Sequence, residues 1–178
     1  MKMKKLSVVL LSLLAAVMVL SGCGGGAQDN DSAESAENGA KNSDQAILVV
    51  SFGTSYNDSR DKTIGAIETA AAEAFPEYEV RRAFTSQIII DKLKERDNLE
   101  IDNVTEALDR AVADGIKTLI VQPTHLMNGY EYTDLKEELE TYRDKFEKIA
   151  LGEPLLTSEE DFRAVAETIT SETSSYDD

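Results

Sequence analysis

One histidine occurs in the 178 residues, His125, and it precedes Glu131 within the stretch Gln122-Pro-Thr-His-Leu-Met-Asn-Gly-Tyr-Glu-Tyr132. A neutral imidazole nitrogen and a carboxylate can share a divalent metal or pass a proton, and the Asn128-Gly129 turn between them lets one loop bring both together. The stretch follows the apolar, β-branched run Thr118-Leu-Ile-Val121 and precedes a charged helical pattern. It is therefore predicted to lie where a buried strand opens through a loop into a helix. In an open α/β sheet such loops stand at the carboxyl ends of the strands, where ligands bind. Residue types alone leave three readings open: a metal site, a proton-transfer pair, or a loop histidine that only hydrogen-bonds. Glu131 is favoured at a helix start by the macrodipole whatever it binds.

Two further loops are predicted at the same end of the sheet. Ser51, Phe52, Gly53, Thr54 and Ser55 follow the first apolar run, and their hydroxyls and backbone donors near a helix start suit an anionic group. They do not form a phosphate-binding glycine loop, because Gly53 stands alone with no following lysine of that motif. Phe84, Thr85 and Ser86 close the second strand. Arg81 and Arg82 are expected to offer some local positive charge, one of them facing solvent. No serine stands in a nucleophile-elbow context to pair with His125, and one histidine with one cysteine cannot build a zinc cluster of the Cys/His kind.

The elements that must position these loops alternate between strand and helix. Ile47-Leu-Val-Val50 is a continuous apolar run, as for a strand covered on both faces. A helix over 59–74 follows, with Ile64, Ile67 and Ala71 inward and Asp58 as cap, and Pro76 ends it. Residues 78–84 alternate as a less buried strand. A short helix over 87–96 carries Ile88, Ile89 and Leu93. Another over 103–114 turns Val104, Ala107, Leu108 and Ala111 inward and stops at Gly115. A buried strand at 116–121 leads into the central loop. Beyond it come a helix over 132–146 with Leu135, Leu139 and Tyr142 inward, and a short strand at 148–151. The last helix, 159–169, is capped by Ser158 and turns Phe162, Val165 and Ala166 inward. The pattern predicts an α/β fold: a four-stranded parallel sheet with helices on both faces and right-handed crossovers.

Residues 1–22 read as an export signal, with Lys2, Lys4 and Lys5 ahead of an apolar core at 6–20. That core is shorter than the roughly 20 residues a spanning helix needs. Leu20-Ser-Gly-Cys23 closes it with the small-residue pattern of a bacterial lipoprotein box, so Cys23 is expected to be acylated. Two or more chains on one cysteine anchor stably. The predicted location is the outer face of a bacterial membrane, held there by lipid. Residues 23–45 form a polar, acidic tether with no aliphatic side chain larger than alanine, 46–170 form one domain, and 171–178 form a loose tail. The net charge of −16 becomes more negative still without the signal's lysines, which argues against nucleic acid and against attraction to anionic lipid.

Four segments, in order, carry a resemblance: Ile47-Leu-Val-Val-Ser-Phe-Gly-Thr-Ser-Tyr56, Arg82-Ala-Phe-Thr-Ser86, the stretch 122–132, and Leu151-Gly-Glu-Pro-Leu-Leu156. Over 46–169 the chain resembles the anaerobic sirohydrochlorin cobaltochelatases of the CbiK type, as their N-terminal lobe. The resemblance implies a chelatase-like lobe, a tetrapyrrole in a cleft between two similar lobes, and insertion of Co2+ into sirohydrochlorin during anaerobic cobalamin synthesis. It makes Glu131 the acid at the metal-insertion site and His125 the histidine beside it, both catalytic and metal-binding. Residues 51–55 and 84–86 would line the tetrapyrrole cleft. The family's principal histidines lie in a second lobe beyond residue 178, and Ser51-Phe52-Gly53 offers none in their place. Three readings follow: a piece of a longer enzyme, a lobe that pairs with a second copy or a partner lobe, or an extracytoplasmic binder of haem, another tetrapyrrole or a metal without catalysis.

Overall fold

A computed structural model describes residues 44–176. The expected signal, Cys23 and nearly all of the tether lie outside the described residues, as do the last two residues of the tail. Four parallel strands form one sheet in the order β2-β1-β3-β4: β1 (Gln45–Ser51), β2 (Glu79–Phe84), β3 (Thr118–Pro123) and β4 (Lys148–Leu151). β1 lies between β2 and β3 and is buried on both faces, which is why its sequence shows no alternation. β2 is an edge strand and only its last two residues are buried.

Alternate residues of the sheet meet different helices. Ala46, Leu48, Val50, Ala83, Leu119 and Val121 pack on α4 (Val104–Ala113) and α5 (Tyr130–Glu140). On the other side lie α2 (Ile64–Ala74) and α3 (Gln87–Asp97), where Ile64, Ile90 and Leu93 enclose Phe84 with Ile101. Helices thus cover both faces, as expected. α4 was legible in detail: Val104, Ala107, Leu108 and Ala111 are all buried, and Asn103 accepts from the Glu106 amide while Glu106 accepts from the Asn103 amide. Asn103→Ala removes half of that box and is expected to cost about 1 kcal/mol in a urea melt.

Other helices depart from expectation. The segment predicted as one helix is two, α1 (Asn57–Lys62) and α2, broken at Thr63, and Tyr56 occupies the N-cap where Asp58 was expected. Ile67 is 43% exposed and Ile88 is 81% exposed, while Ile89 packs half-buried on the core as expected and Ile90 is buried in it. The charged helix is α5 followed by a 3-10 turn at Arg143–Lys145. Tyr142 donates to Asp109 at 2.7 Å, and burial first, then that carboxylate, pushes its phenol up to about 12. Arg81 and Arg82 hold no free charge for a ligand: Arg81 pairs with Glu79 and Asp114, and Arg82 with Glu68.

The last helix, α6 (Glu159–Thr173), has the expected Ser158 cap but buries no residue. Phe162 and Ile169 are 55% and 58% exposed, so its apolar stripe does not face the lobe. It runs past the predicted boundary, and a 3-10 turn over Ser174–Tyr176 follows. Among the described residues no helix is long and apolar enough to cross a membrane.

Candidate functional site

Strand register brings the predicted loops together. Ser51 lies level with Phe84, and Val50 with Pro123, so the three strands end side by side. Backbone bonds extend the alignment into the loops: the Thr85 amide donates to the Ser51 carbonyl at 2.9 Å, Ser86 to Phe52 at 3.3 Å, and Thr124 to Val50 at 2.9 Å. A fourth segment, after β4, joins them. The amides of Leu155 and Leu156 donate to the carbonyls of His125 and Leu126 at 3.0 and 2.7 Å.

Glu131 stands in the first turn of α5, whose N-cap Gly129 has no side chain to offer, so its charge complements the exposed amides there. The His125 ring reaches it with Nε2 2.9 Å from Oε2. The Thr85 hydroxyl donates to the same oxygen at 3.2 Å. Oε1 has no partner among the described residues. The histidine side chain is 12% exposed and the glutamate 41%, so the imidazole lies within the wall and the carboxylate opens to solvent. On one side of Glu131 a cleft of about 320 Å³ runs between α3, α4 and α5, lined by Thr85, Gln87, Asn103, Thr105, Asp134 and Glu138, among others. No three His, Cys, Asp or Glu side chains gather as a metal cluster among the described residues. His125 and Glu131 can supply at most two donors.

The other expected lining residues divide into two groups. Phe52 is 52% exposed and free to meet a ligand. Ser51, Ser55 and Phe84 are buried, and of the three Phe84 borders the cleft beside Glu131 from within the core. Ser51 Oγ accepts from the Thr124 hydroxyl at 2.9 Å, and the Ser55 carbonyl accepts from Arg96 at 2.7 Å. The Phe84 ring fills the core beneath Gly53, which adopts φ +96° and has no room for a Cβ. Thr54 accepts from the Tyr56 amide at 3.3 Å, shaping its own turn. Ser86 occupies the N-cap of α3 without a side-chain cap bond. Four large apolar side chains, Leu126, Met127, Tyr130 and Leu155, are more than half exposed on these same loops.

Sequence reasoning missed Thr124, which ties the first and third loops together. It also missed the structural part played by 152–156. There Gly152 abuts the Gln122 side chain and its carbonyl accepts from Tyr132 at 3.2 Å. Burial, and after it the charge of Glu153, raises the Tyr132 phenol above its ordinary range and keeps it a donor.

Residues 45–177 match the cobalt chelatase (CbiK) family. The sirohydrochlorin cobaltochelatase of Salmonella typhimurium is 42% identical over 118 residues, covering 66% of this chain and 45% of the relative. The sirohydrochlorin cobaltochelatase CbiKC of Nitratidesulfovibrio vulgaris is 32% identical over 124 residues, covering 68% of this chain and 43% of that one. The chain therefore spans less than half the length of the curated relatives it matches. Among solved structures, a cobalamin (vitamin B12) biosynthesis CbiX protein from Marinobacter aquaeolei is similar with a TM-score of 0.52 at 16% identity, covering 75% of this chain and 98% of that chain, which is a likeness of fold. The family match runs from β1 through α6 and takes in every residue of the cluster, so the chain belongs to the cobalt chelatase (CbiK) family.

Proposed function

We propose that this lobe takes part in inserting Co2+ into sirohydrochlorin in anaerobic cobalamin synthesis, with Glu131 and His125 at the point of insertion. The observation that carries the reading is the joining of His125, Glu131 and Thr85 at the mouth of three parallel strands, in a chain of this family. Insertion replaces two pyrrole N–H bonds by bonds to the metal and releases two protons. It needs a base on one macrocycle face and weak ligands that let the ion go on. A half-exposed carboxylate held by an imidazole has that character. The apolar side chains exposed around it, Phe52, Leu126, Met127, Tyr130 and Leu155, suit the flat face of a macrocycle.

Two side chains do not enclose a macrocycle, and we place the second wall of the cleft on a second copy of the chain or on a partner lobe. The uncovered stripe of α6 supports this, because a helix of its length draws most of its stability from packing. Export and a lipid anchor at Cys23 complete the proposal. Labelled fatty acid is expected to enter the protein in growing cells and to be lost from Cys23→Ser. An equal label in that variant would remove the anchor from the account.

The test of function is steady-state formation of cobalt-sirohydrochlorin by the purified protein. Repeated turnover supports the chelatase. A stoichiometric spectral change without turnover would instead favour a binder of haem, another tetrapyrrole or the metal, and neither would contradict both readings.

A further inference from the structure

The geometry points to a division of labour within the site: His125 and Thr85 are positioning residues that clamp Oε2 of Glu131, leaving Oε1 as the atom that meets metal or pyrrole proton. This rests on the proposed function for its reaction, but the clamp itself stands on contacts within the lobe.

The orientation of the imidazole carries the inference. Its Nδ1 is buried and has no hydrogen-bond partner, while Nε2 lies 2.9 Å from Glu131. A proton on Nδ1 would be a buried donor with nowhere to go, whereas a bare acceptor is tolerated more readily. The N–H is therefore on Nε2 and donates to Oε2. The Thr85 hydroxyl donates to that oxygen from the opposite strand end, at 3.2 Å. Two donors from two different loops satisfy both lone pairs of Oε2 and fix the carboxylate's rotation, since neither loop moves without the strand behind it. Oε1 is left without a protein partner among the described residues, on a side chain 41% exposed. An imidazole held this way offers no free nitrogen to a metal, one being occupied and the other buried. His125 therefore acts through Glu131 and does not ligate.

Substitutions that keep or remove each donor separate this from ligation. Thr85→Val is nearly isosteric and loses the hydroxyl; it is expected to lower kcat for cobalt insertion about ten-fold, the worth of one hydrogen bond to a charged group, while KM for Co2+ moves little. Thr85→Ser restores the donor and the rate to within about two-fold. His125→Gln can still offer an N–H to Oε2 and should retain several times the activity of His125→Ala. Equal losses in Gln and Ala, or an unchanged rate in Thr85→Val, would overturn the clamp. A second readout needs no turnover: nitrogen-detected NMR of the ring should show the Nε2–H form, with that proton still present when Zn2+ is added as a diamagnetic stand-in for cobalt. An Nδ1–H ring, or loss of the Nε2 proton on adding metal, would overturn the proposal even in a protein that inserts cobalt. The expected tautomer in a protein without turnover would uphold the clamp and remove only the chelatase reading.

Discussion

Glu131→Gln is expected to lower cobalt insertion by at least about 100-fold, the usual range for losing a general acid–base group, while the protein remains folded. Glutamine keeps the shape and can still accept from Thr85 and His125. It cannot take a proton from a pyrrole nitrogen, and its neutral oxygen is a poor ligand for a divalent ion. The structural cost is small, because the side chain is 41% exposed and its main local contribution is to complement the start of α5. That contribution is about 0.3–1 kcal/mol. Turnover and a thermal melt on the same preparation check both halves. Unchanged turnover in a folded variant would remove Glu131 from the chemistry.

Gly53→Ala should lower stability more than the same change at the other described glycines, because it combines a positive φ with a clash against a buried ring. The residue sits at φ +96°, and an ideal Cβ would lie 2.5 Å from Cδ2 of Phe84, a ring with no exposure at all. Left-handed backbone costs a side chain about 1–2 kcal/mol and overpacking a core costs about 1–3, so a loss of about 2–5 kcal/mol is expected. Gly115→Ala isolates the first contribution, since Gly115 has φ +77° but nothing within 4 Å of an added Cβ. It should lose only about 1–2 kcal/mol. Urea unfolding of the pair measures the difference. Because Phe84 precedes Thr85, Gly53→Ala should also loosen the hold on Glu131 and lower activity beyond what its folded fraction explains. Equal stabilities for the two alanine variants would show that the Phe84 ring yields freely.

The order of elements and the pairing of His125 with Glu131 were legible because both follow from local pattern. Four strand-like runs, one of them alternating, separated by helical periods require a parallel sheet. The only histidine and the carboxylate that follows it stand directly after one of those runs, and the structure closes them to 2.9 Å. Local pattern does not phase a run such as Ile88-Ile-Ile90, in which any residue could face inward, and tertiary packing chose Ile90. Nor does periodicity say what lies against an apolar face. Phe162, Val165, Ala166 and Ile169 are spaced as a buried stripe, yet none of them is buried, and only Val165 is as much as half-buried. Thr124 and Ser51 are 73 residues apart, and Thr85 and Glu131 are 46 apart. Only strand register juxtaposes such pairs, so no single segment could announce them. Phe84, expected beside a ligand, has no exposure and borders the cleft from the core, while Thr85, the first residue past the strand end, reaches Glu131.

Diffraction at the cobalt absorption edge from crystals of the protein soaked in Co2+ tests the site most directly. The expected map has an anomalous peak within bonding distance of Oε1 of Glu131, with His125 still donating to Oε2 and the remaining positions held by solvent. Cobalt bound only elsewhere, with Glu131 bare at saturating metal, would contradict the assignment of this carboxylate as the point of insertion.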